Sequence, residues 1–495
     1  MISVILLAMI AAGEPIVQLL RDPDLDRSIF YKLALRLLLG MAALTIFFLV
    51  MDAAGIPINR RSIIGSSLLA AGISLAVRLL VRRQRVRGLG EWRSECLSGW
   101  RRGGLHKISW PSLLTSLLLA SLVAASFLQM IYLVPMAYDA LVGWDLVAKI
   151  MSYEGVYRSS VFEKISFNAQ ATYPPLTACM QGLCYIFTPG TPRIWIPILV
   201  LGFMILFGED VWRRTRSSLL STFLLLLLFT FPEINFHLTV AQTDMPNMVF
   251  VSLAFIWILA YPNDRRSVPL AAVFMFIATL TRSETILIAA AAALWMWIRV
   301  RFRSGSPLWI VLPGVALFLF WNLFYVRVLL GYNPADHFRT TLDIDPARAW
   351  KVIRYAVVIV TDRETFGELW WLFLGGLGAW LLWIVLGRRM GAGAMAAGDS
   401  PAGKTRAASN SSSSGSLQSL NSRLAPGAVL SLFLLTFLAY LPFFYQWDPV
   451  LNPLWSMAHT FKRGFFRYVP IMLLFILSVV RLWWVALEIR FFKKA

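Results

Sequence analysis

The chain has 495 residues, of which 58% are apolar and only 15% are charged, and its formal net charge is +20. A soluble domain of this length needs more charged surface, so the composition excludes an ordinary soluble protein. Apolar runs of about 20 residues recur along the chain, which is the length that a spanning helix needs. They do not alternate every second residue as barrel strands do. The sequence therefore predicts an all-α fold, a polytopic transmembrane helical bundle.

The predicted spans, about 13 in number, cover the chain from end to end. They are residues 2–20, 32–51, 62–81, 112–135, 194–211, 218–236, 240–260, 268–281, 284–300, 307–330, 368–387, 427–446 and 465–485. The first is interpreted as a helix and not as a signal peptide, because it has no basic start and is interrupted by Glu14.

Four regions follow from this pattern. They are N-terminal transmembrane helices with a basic cytoplasmic loop (1–111), a transmembrane core (112–390), a Gly/Ala/Ser-rich linker (391–425) and C-terminal transmembrane helices (426–495). The linker cannot bury a core, so we expect it to be disordered and cytoplasmic.

The positive charge indicates loops that face anionic lipid in the cytoplasm. A nucleic-acid partner is not expected, because no soluble domain carries that charge. The basic clusters all reach the cytoplasmic side only if residues 174–188 lie in the outer side of the membrane without crossing it. The loop 136–173 then becomes a long extracytoplasmic loop with short interfacial helices. The three cysteines, Cys96, Cys179 and Cys184, indicate neither a disulfide framework nor a zinc site.

Polar groups near the outer ends of the spans are candidates for function, because charge at membrane depth is expensive. The first group follows span 112–135 and contains Asp139, Trp144, Asp145 and Lys149. Asp139 and Asp145 do not share one helical stripe. A wet loop in which Asp145 pairs with Lys149 is the simpler interpretation.

The second group is Asp244, which opens span 240–260 two residues before Pro246. It suits a helix N-cap, and it could also present a carboxylate oxygen to a ligand. The third is the short turn with Arg282 and Glu284. These two residues could pair with each other, or the arginine could bind phosphate in bidentate fashion.

Two further polar groups lie later in the chain. His337 lies next to Asp336. It is interpreted either as a solvated surface histidine or as a metal ligand. His459, Arg463 and Arg467 lead into the last span. Basic residues at the start of a membrane span commonly extend their side chains to lipid headgroups, and here they could instead bind a phosphate leaving group.

The order of these motifs resembles a known family. An outer-loop Asp-Ala-Leu-x-x-Trp is followed by Tyr-Pro-Pro-Leu from Tyr173, an Asp-x-Pro at Asp244, a Thr-Arg-x-Glu turn and a late arginine before Pro470. This order is similar to that of the membrane glycosyltransferases of the C superfamily, in the bacterial branch akin to protein mannosyltransferases and lipid A aminoarabinose transferases.

The resemblance implies roles for single residues. Asp139 matches the catalytic acid/base position of the family, although Asp145 leaves the choice of base open. Asp244 matches its second acidic position. Tyr173, Pro174 and Pro175 match the motif that opens the next helix, and Arg282 and Glu284 match the later polar turn.

The resemblance further implies a polyprenyl-phosphate sugar donor and transfer, with inversion, on the extracytoplasmic face of a bacterial inner membrane. The acceptor is a glycan, a lipid or a protein, and membrane lipids are further partners. A divalent cation, Mg²⁺ or Mn²⁺, is a possible cofactor whose ligands the sequence does not identify. A transporter or flippase of a lipid-linked sugar is the alternative function, and a non-catalytic scaffold is a third hypothesis.

Overall fold

The computed structural model describes residues 1–20, 27–83, 110–132, 143–159, 161, 173–261, 267–300, 306–329, 345–397, 425–446 and 460–492. Every regular element in these residues is helical, as the sequence predicts. The helices are α1 (Ile2–Leu19), α2 (Ile29–Ala53), α3 (Arg60–Arg83), α4 (Trp110–Tyr132), α5 (Asp145–Glu154), α6 (Leu176–Phe187), α7 (Trp195–Thr215), α8 (Ser218–Thr230), α9 (Pro232–His237), α10 (Asp244–Ala260), α11 (Ser267–Thr279), α12 (Thr285–Arg299), α13 (Leu308–Leu319), α14 (Pro346–Thr361), α15 (Arg363–Phe366), α16 (Leu369–Ala397), α17 (Pro426–Gln446), α18 (Lys462–Phe465) and α19 (Val469–Phe492).

Eight helical segments in the described residues are long and apolar enough to cross a membrane. They are Ile2–Leu19, Ile29–Ala53, Trp110–Tyr132, Trp195–Thr215, Leu308–Leu329, Leu369–Leu386, Pro426–Phe444 and Lys462–Trp484. Four further predicted spans form the shorter apolar helices α8, α10, α11 and α12. The predicted span 62–81 forms α3, which is not among the eight. A membrane protein is therefore supported, and the number of 13 spans stays a prediction.

The predicted span 218–236 is divided in the structure. Helix α8 ends at Thr230, and Phe231 is extended with φ −66° and ψ 133°. The residue before a proline avoids the helical region, so Pro232 ends one helix and begins the next, α9. The break turns α9 into a short polar helix that carries Glu233 and His237.

Polar contacts show which helix ends lie together. At the end that we call the Arg214 end, the Ser28 hydroxyl at the start of α2 donates to Glu209 near the end of α7 (2.5 Å). Arg214 in α7 donates to the carbonyl of Ile256 in α10 (2.9 Å), and Arg481 of α19 donates to the carbonyl of Arg214. Helix α2 therefore begins where α7 and α10 end.

The opposite end, the Asp244 end, contains the start of α10 and the end of α2. Asn247 of α10 donates to the carbonyl of Ala278 in α11 (3.0 Å), so α11 ends beside the start of α10. Helix α6 has both of its termini here. The Leu176 amide donates to the Leu280 carbonyl (3.1 Å), and Arg60 at the start of α3 donates to the Ile186 carbonyl (2.8 Å). Helix α6 thus does not run from one end to the other, which is the arrangement that the charge rule requires of residues 174–188.

Other predicted segments are described only in part. Of the predicted outer loop 136–173, the structure describes residues 143–159, which contain the short helix α5, together with Val161 and Tyr173. Helix α16 extends to Ala397, seven residues into the predicted linker 391–425, because its apolar and alanine-rich sequence continues the helix. The linker from 398 to 424 lies outside the described residues.

Helices α1 and α2 pack with their backbones in contact at two glycines. A Cβ atom on Gly40 would lie 1.7 Å from the carbonyl oxygen of Met9, and one on Gly13 would lie 1.9 Å from that of Arg36. The Arg36 guanidinium forms an ion pair with Glu14 across the same interface. Both helices belong to the common hydrophobic core of the bundle.

We expect Gly40→Ala to lower the free energy of unfolding by about 1–3 kcal/mol, because α1 and α2 must separate to admit the methyl group. The matched control is Gly72→Ala on α3, where a Cβ would meet no atom within 4 Å. That change should be neutral or stabilising by about 0.5–1 kcal/mol. Thermal unfolding in detergent measures both. Equal unfolding temperatures for the two variants would contradict the close packing.

Candidate functional site

Five of the predicted site residues form one buried cluster at the Asp244 end. They come from three separate segments of the chain and are Asp244, Arg282, Glu284, Arg463 and Arg467. In the described residues, three arginines pair with two carboxylates in this cluster. Burial of this many charges is favourable only when they pair and hydrogen-bond well, so the arrangement is a specific feature of the fold.

Asp244 binds two arginines. Its Oδ1 forms an ion pair with Arg282, and its Oδ2 lies 3.0 Å from Nε and 2.9 Å from Nη2 of Arg463. The prediction that Asp244 is the N-cap of its helix is wrong. Helix α10 begins at Asp244, Thr243 holds the cap position, and no side chain caps the helix. The carboxylate points to the arginines because their charges stabilise it more than one backbone amide would.

Glu284 links Arg282 to the third arginine of the cluster, Arg467. Its Oε1 lies 2.5 Å from Nε of Arg282, so the pairing expected within the turn is present. The same oxygen lies 3.1 Å from Nη2 of Arg467. Burial alone would raise the pKa of Glu284, but the charges of Arg282 and Arg467 outweigh it and hold the pKa below its ordinary value.

Arg467 is the most deeply buried arginine of the cluster, with 1% of its surface exposed. Its Nε donates to the Gly464 carbonyl (2.8 Å), and its guanidinium lies 4.7 Å from the centre of the Tyr440 ring. Its Nη1 is buried and has no hydrogen-bond partner in the described residues. Gly464 allows this packing, because a Cβ there would lie 1.8 Å from the Tyr440 hydroxyl.

A second group of charges, from α9 and α18, adjoins the cluster, and the sequence did not indicate it. Glu233 lies 3.3 Å from Nε2 of His237 and 3.3 Å from Nζ of Lys462. Burial would raise the pKa of Glu233, but these two neighbours lower it. Lys462 precedes Arg463, so Glu233 helps to hold the segment that reaches Asp244. The break at Pro232 is the sequence signal that could have placed Glu233 and His237 here.

Asp145 forms a separate buried group. Its Oδ1 accepts hydrogen bonds from Gln181 (2.9 Å) and Tyr185 (2.6 Å), and its Oδ2 lies 3.1 Å from Nζ of Lys149. The simpler interpretation of this motif, an Asp145–Lys149 pair, is therefore observed. Gln181 is held in turn by the Trp195 indole (2.7 Å). These contacts fix the position of the Asp145 carboxylate, and Gln181 and Tyr185 were not predicted as its partners.

Trp144 and Tyr173 connect the two groups. Their rings pack edge to face with centres 5.5 Å apart. Burial raises the pKa of Tyr173, and the charges of Arg282 and Arg463 oppose this shift, which places Tyr173 beside the cluster. Pro174 is buried next to it. The Trp144 indole nitrogen is buried without a hydrogen-bond partner in the described residues. The rings of Trp144 and Tyr173, which we call the aromatic wall, thus lie between the Asp145 group and the Asp244 cluster, and the Trp144 indole N–H is a hydrogen-bond donor within this wall.

Three predicted site residues, Asp139, His337 and His459, lie outside the described residues. A buried acid that the sequence analysis overlooked is Asp52 at the end of α2. It accepts hydrogen bonds from the Tyr325 hydroxyl (2.6 Å) and from the Arg158 guanidinium (2.8 Å). Its place at the end of a predicted span was the available signal. These contacts join the end of α2 to the segment that follows α5 and to the helical segment Phe320–Leu329, which is a structural role.

The donor groups do not suit the divalent cation that the resemblance implies. The described residues contain no cluster of three or more histidine, cysteine or acidic side chains. Asp244 and Glu284 each bind two arginines, so their oxygens face guanidinium groups and not a shared central point. We derive no step through a metal.

No family model, curated protein or solved structure matches this chain. The resemblance to the membrane glycosyltransferases therefore rests on the sequence motifs alone.

We expect Asp244→Asn to lower the free energy of unfolding by about 3–5 kcal/mol, because it leaves two buried guanidinium groups without their carboxylate. Adding Arg463→Gln should restore part of the loss, since it removes one of the two guanidinium groups that pair with Asp244. Asp345→Asn is the matched control. It makes the same chemical change at an exposed helix cap, where asparagine caps as well as aspartate. Additive losses in the double variant would contradict the pairing.

The pH dependence of stability should report on Glu284. A carboxyl with a lowered folded-state pKa contributes stability that is fully present above its ordinary pKa of 4.5. That stability is lost as the pH falls through the lowered value. We therefore expect the unfolding temperature to fall below about pH 4.5, and Glu284→Gln to flatten the fall. Glu154→Gln, at an exposed site, should keep the wild-type profile. Identical profiles for both variants would contradict the assignment.

Proposed function

We propose that this protein is a membrane glycosyltransferase of the C-superfamily type. It moves a sugar from a polyprenyl-phosphate donor to an acceptor at the Asp244 end of the bundle. The observation that supports this proposal most is the positive charge of three arginines that converge at Asp244 and Glu284, at the end of apolar helices. An enzyme that releases a lipid phosphate needs such charge where the apolar and polar parts of the donor meet.

Arg463 is the proposed phosphate anchor. Its side chain is 18% exposed, whereas that of Arg282 is 4% exposed, so an anion at the surface meets Arg463 first. A guanidinium binds phosphate oxygens through two parallel hydrogen bonds. Asp244 and Glu284 hold the three arginines in place, so the positive charge is oriented before the donor arrives. Orientation before binding lowers the cost of stabilising the leaving phosphate.

The proposed base is Asp139, from the resemblance. Asp145 is less suited to this role, because both of its carboxylate oxygens already have partners, Gln181 and Tyr185 at Oδ1 and Lys149 at Oδ2. We assign Asp145 to positioning. It fixes Gln181 and the start of α5, next to Trp144. The sugar would then lie between the aromatic wall of Trp144 and Tyr173 and the arginine cluster.

The proposed reaction is an inverting displacement. The acceptor hydroxyl loses its proton to Asp139 as its oxygen bonds to the anomeric carbon of the sugar. The bond from that carbon to the phosphate oxygen breaks, and the electron pair leaves with the lipid phosphate, whose charge the arginines stabilise.

The flippase alternative expects charged side chains along a path through the membrane. In the described residues the charges of α7 and α10 lie near the ends of these helices, whereas Glu14 and Arg36 form an ion pair between α1 and α2. Helix α10 has no charged residue between Asp244 and its end at Ala260, and α7 has none between Trp195 and Gly208. This pattern favours chemistry at one end over transport through the middle.

The orientation is also a proposal. Arg213, Arg214, Arg299 and Arg481 lie in or near the helix termini of the Arg214 end. Basic residues near membrane spans remain in the cytoplasm. The Asp244 end then faces the extracytoplasmic side of a bacterial inner membrane, where a lipid-linked donor would be used.

The test is sugar transfer from a panel of radiolabelled polyprenyl-phosphate sugars in membranes that contain equal amounts of each variant. We expect Asp139→Asn to reduce transfer at least about 100-fold, as loss of a general base does. Arg463→Gln should also lose activity, whereas Asp145→Asn should lose less than Asp139→Asn.

Arg363→Gln is the matched control for loss of an arginine at the Asp244 end, since its side chain is 68% exposed and pairs only with Glu368 on the surface. It should keep full activity. No transfer from any donor by the wild type, with labelled lipid moving across the bilayer, would replace the enzyme by the flippase. Full activity of Asp139→Asn would move the base to another carboxyl.

A further inference from the structure

Helix α14 (Pro346–Thr361) lies on the surface at the Asp244 end. It packs against α15, α17 and α18. The Asp345 side chain caps its start by accepting from the Ala347 amide (2.8 Å), and Pro346 occupies the first turn. Its 16 residues extend over about 24 Å. It is absent from the candidate membrane spans among the described residues.

The side chains of α14 form three parallel stripes. Val352, Ala356 and Val360 are four residues apart, are buried and face the bundle. The second stripe is apolar but exposed. It contains Trp350, Ile353 and Val357, which are 65%, 43% and 53% exposed. An apolar stripe of this size on a short helix is not explained by the contacts of the helix within the protein.

The third stripe is basic. Lys351 and Arg354 lie three residues apart, are exposed, and form no ion pair with the described residues. Val358, which follows Arg354 on the same side of the helix, is apolar and exposed. Helix α14 contains no acidic residue between Pro346 and Thr361. The exposed surface of the helix is therefore apolar along one side and positive along the adjacent side.

Two possible environments fail for this helix. A span through the hydrocarbon would bury Lys351 and Arg354 without partners, which is costly. Water alone would leave Trp350, Ile353 and Val357 hydrated, at a cost of about 25 cal/mol for each Å² of apolar surface. The boundary of a bilayer suits both stripes, because apolar side chains enter the acyl region while basic groups stay among headgroups.

We propose that α14 lies in the membrane interface at the Asp244 end and binds anionic phospholipid headgroups through Lys351 and Arg354. The charge of the stripe is complementary to the phosphate of such lipids. A second copy of this chain is a poorer occupant, because a two-fold contact between two α14 helices would bring their basic stripes near each other. This proposal does not depend on the glycosyltransferase assignment.

The first measurement is depth in the bilayer. The full-length protein carries Cys96→Ser, and Val357→Cys is labelled with an environment-sensitive dye, since Cys179 and Cys184 are buried. In nanodiscs of phosphatidylcholine with phosphatidylglycerol, we expect the dye to be protected from iodide in water. Quenching as strong as that of the free dye would overturn the interfacial position.

The second measurement is headgroup selectivity, from the affinity of the purified protein for phosphatidylglycerol in native mass spectrometry. Each basic residue removed should weaken binding about five-fold, so we expect Lys351→Gln with Arg354→Gln to show a clear loss. Arg363→Gln, one helix further on, is the matched control and should bind as the wild type does. An unchanged affinity in the double variant would overturn headgroup binding. Crosslinking of Val357→Cys between two chains would then show a second copy in its place.

Discussion

The pairing of buried arginines with buried carboxylates at the Asp244 end is the interaction on which the candidate site depends. Arg463 and Asp244 are 219 residues apart in the chain, yet their side chains are in direct contact. Removing ions from water costs several kcal/mol for each ion, and only close partners compensate for it. The start of α10, the turn at Arg282 and the segment before α19 are therefore held together, and the groups between them have fixed positions.

The same constraint explains why charge collects at the ends of the bundle. A helix in hydrocarbon satisfies its own backbone, but a charged side chain in the middle has no water and few partners. Asp52 at the end of α2 illustrates this, because its carboxylate accepts from Tyr325 and Arg158 of two other segments. The helix ends also approach the polar surroundings of the bundle. The proposed donor has a lipid tail and a polar head. At the end of the bundle its tail would meet apolar helices and its head would meet the charged cluster.

Much of the fold could be predicted because length and hydropathy determine it. The all-helical class and the common end of the acidic and basic motifs follow from apolar runs and from the charge rule. Partners could not be predicted, because a single sequence does not say which helix ends meet. Gln181 and Tyr185 lie in an apolar helix and carry no local sign that they bind Asp145. Asp244 was expected to cap a helix, which is the local preference, but two distant arginines provide a stronger interaction.

The distribution of exposure across the cluster indicates how a ligand would approach. Lys462 is 35% exposed and Arg463 is 18% exposed, whereas Arg282 and Arg467 are nearly inaccessible. An anion would meet the outer two residues first and would compete with Asp244 and Glu233 for their charges. The inner arginines remain bound to Glu284, so the positive field persists while the outer contacts exchange. A buried layer that keeps its geometry and an outer layer that can change partners are what binding and release of a charged lipid headgroup require.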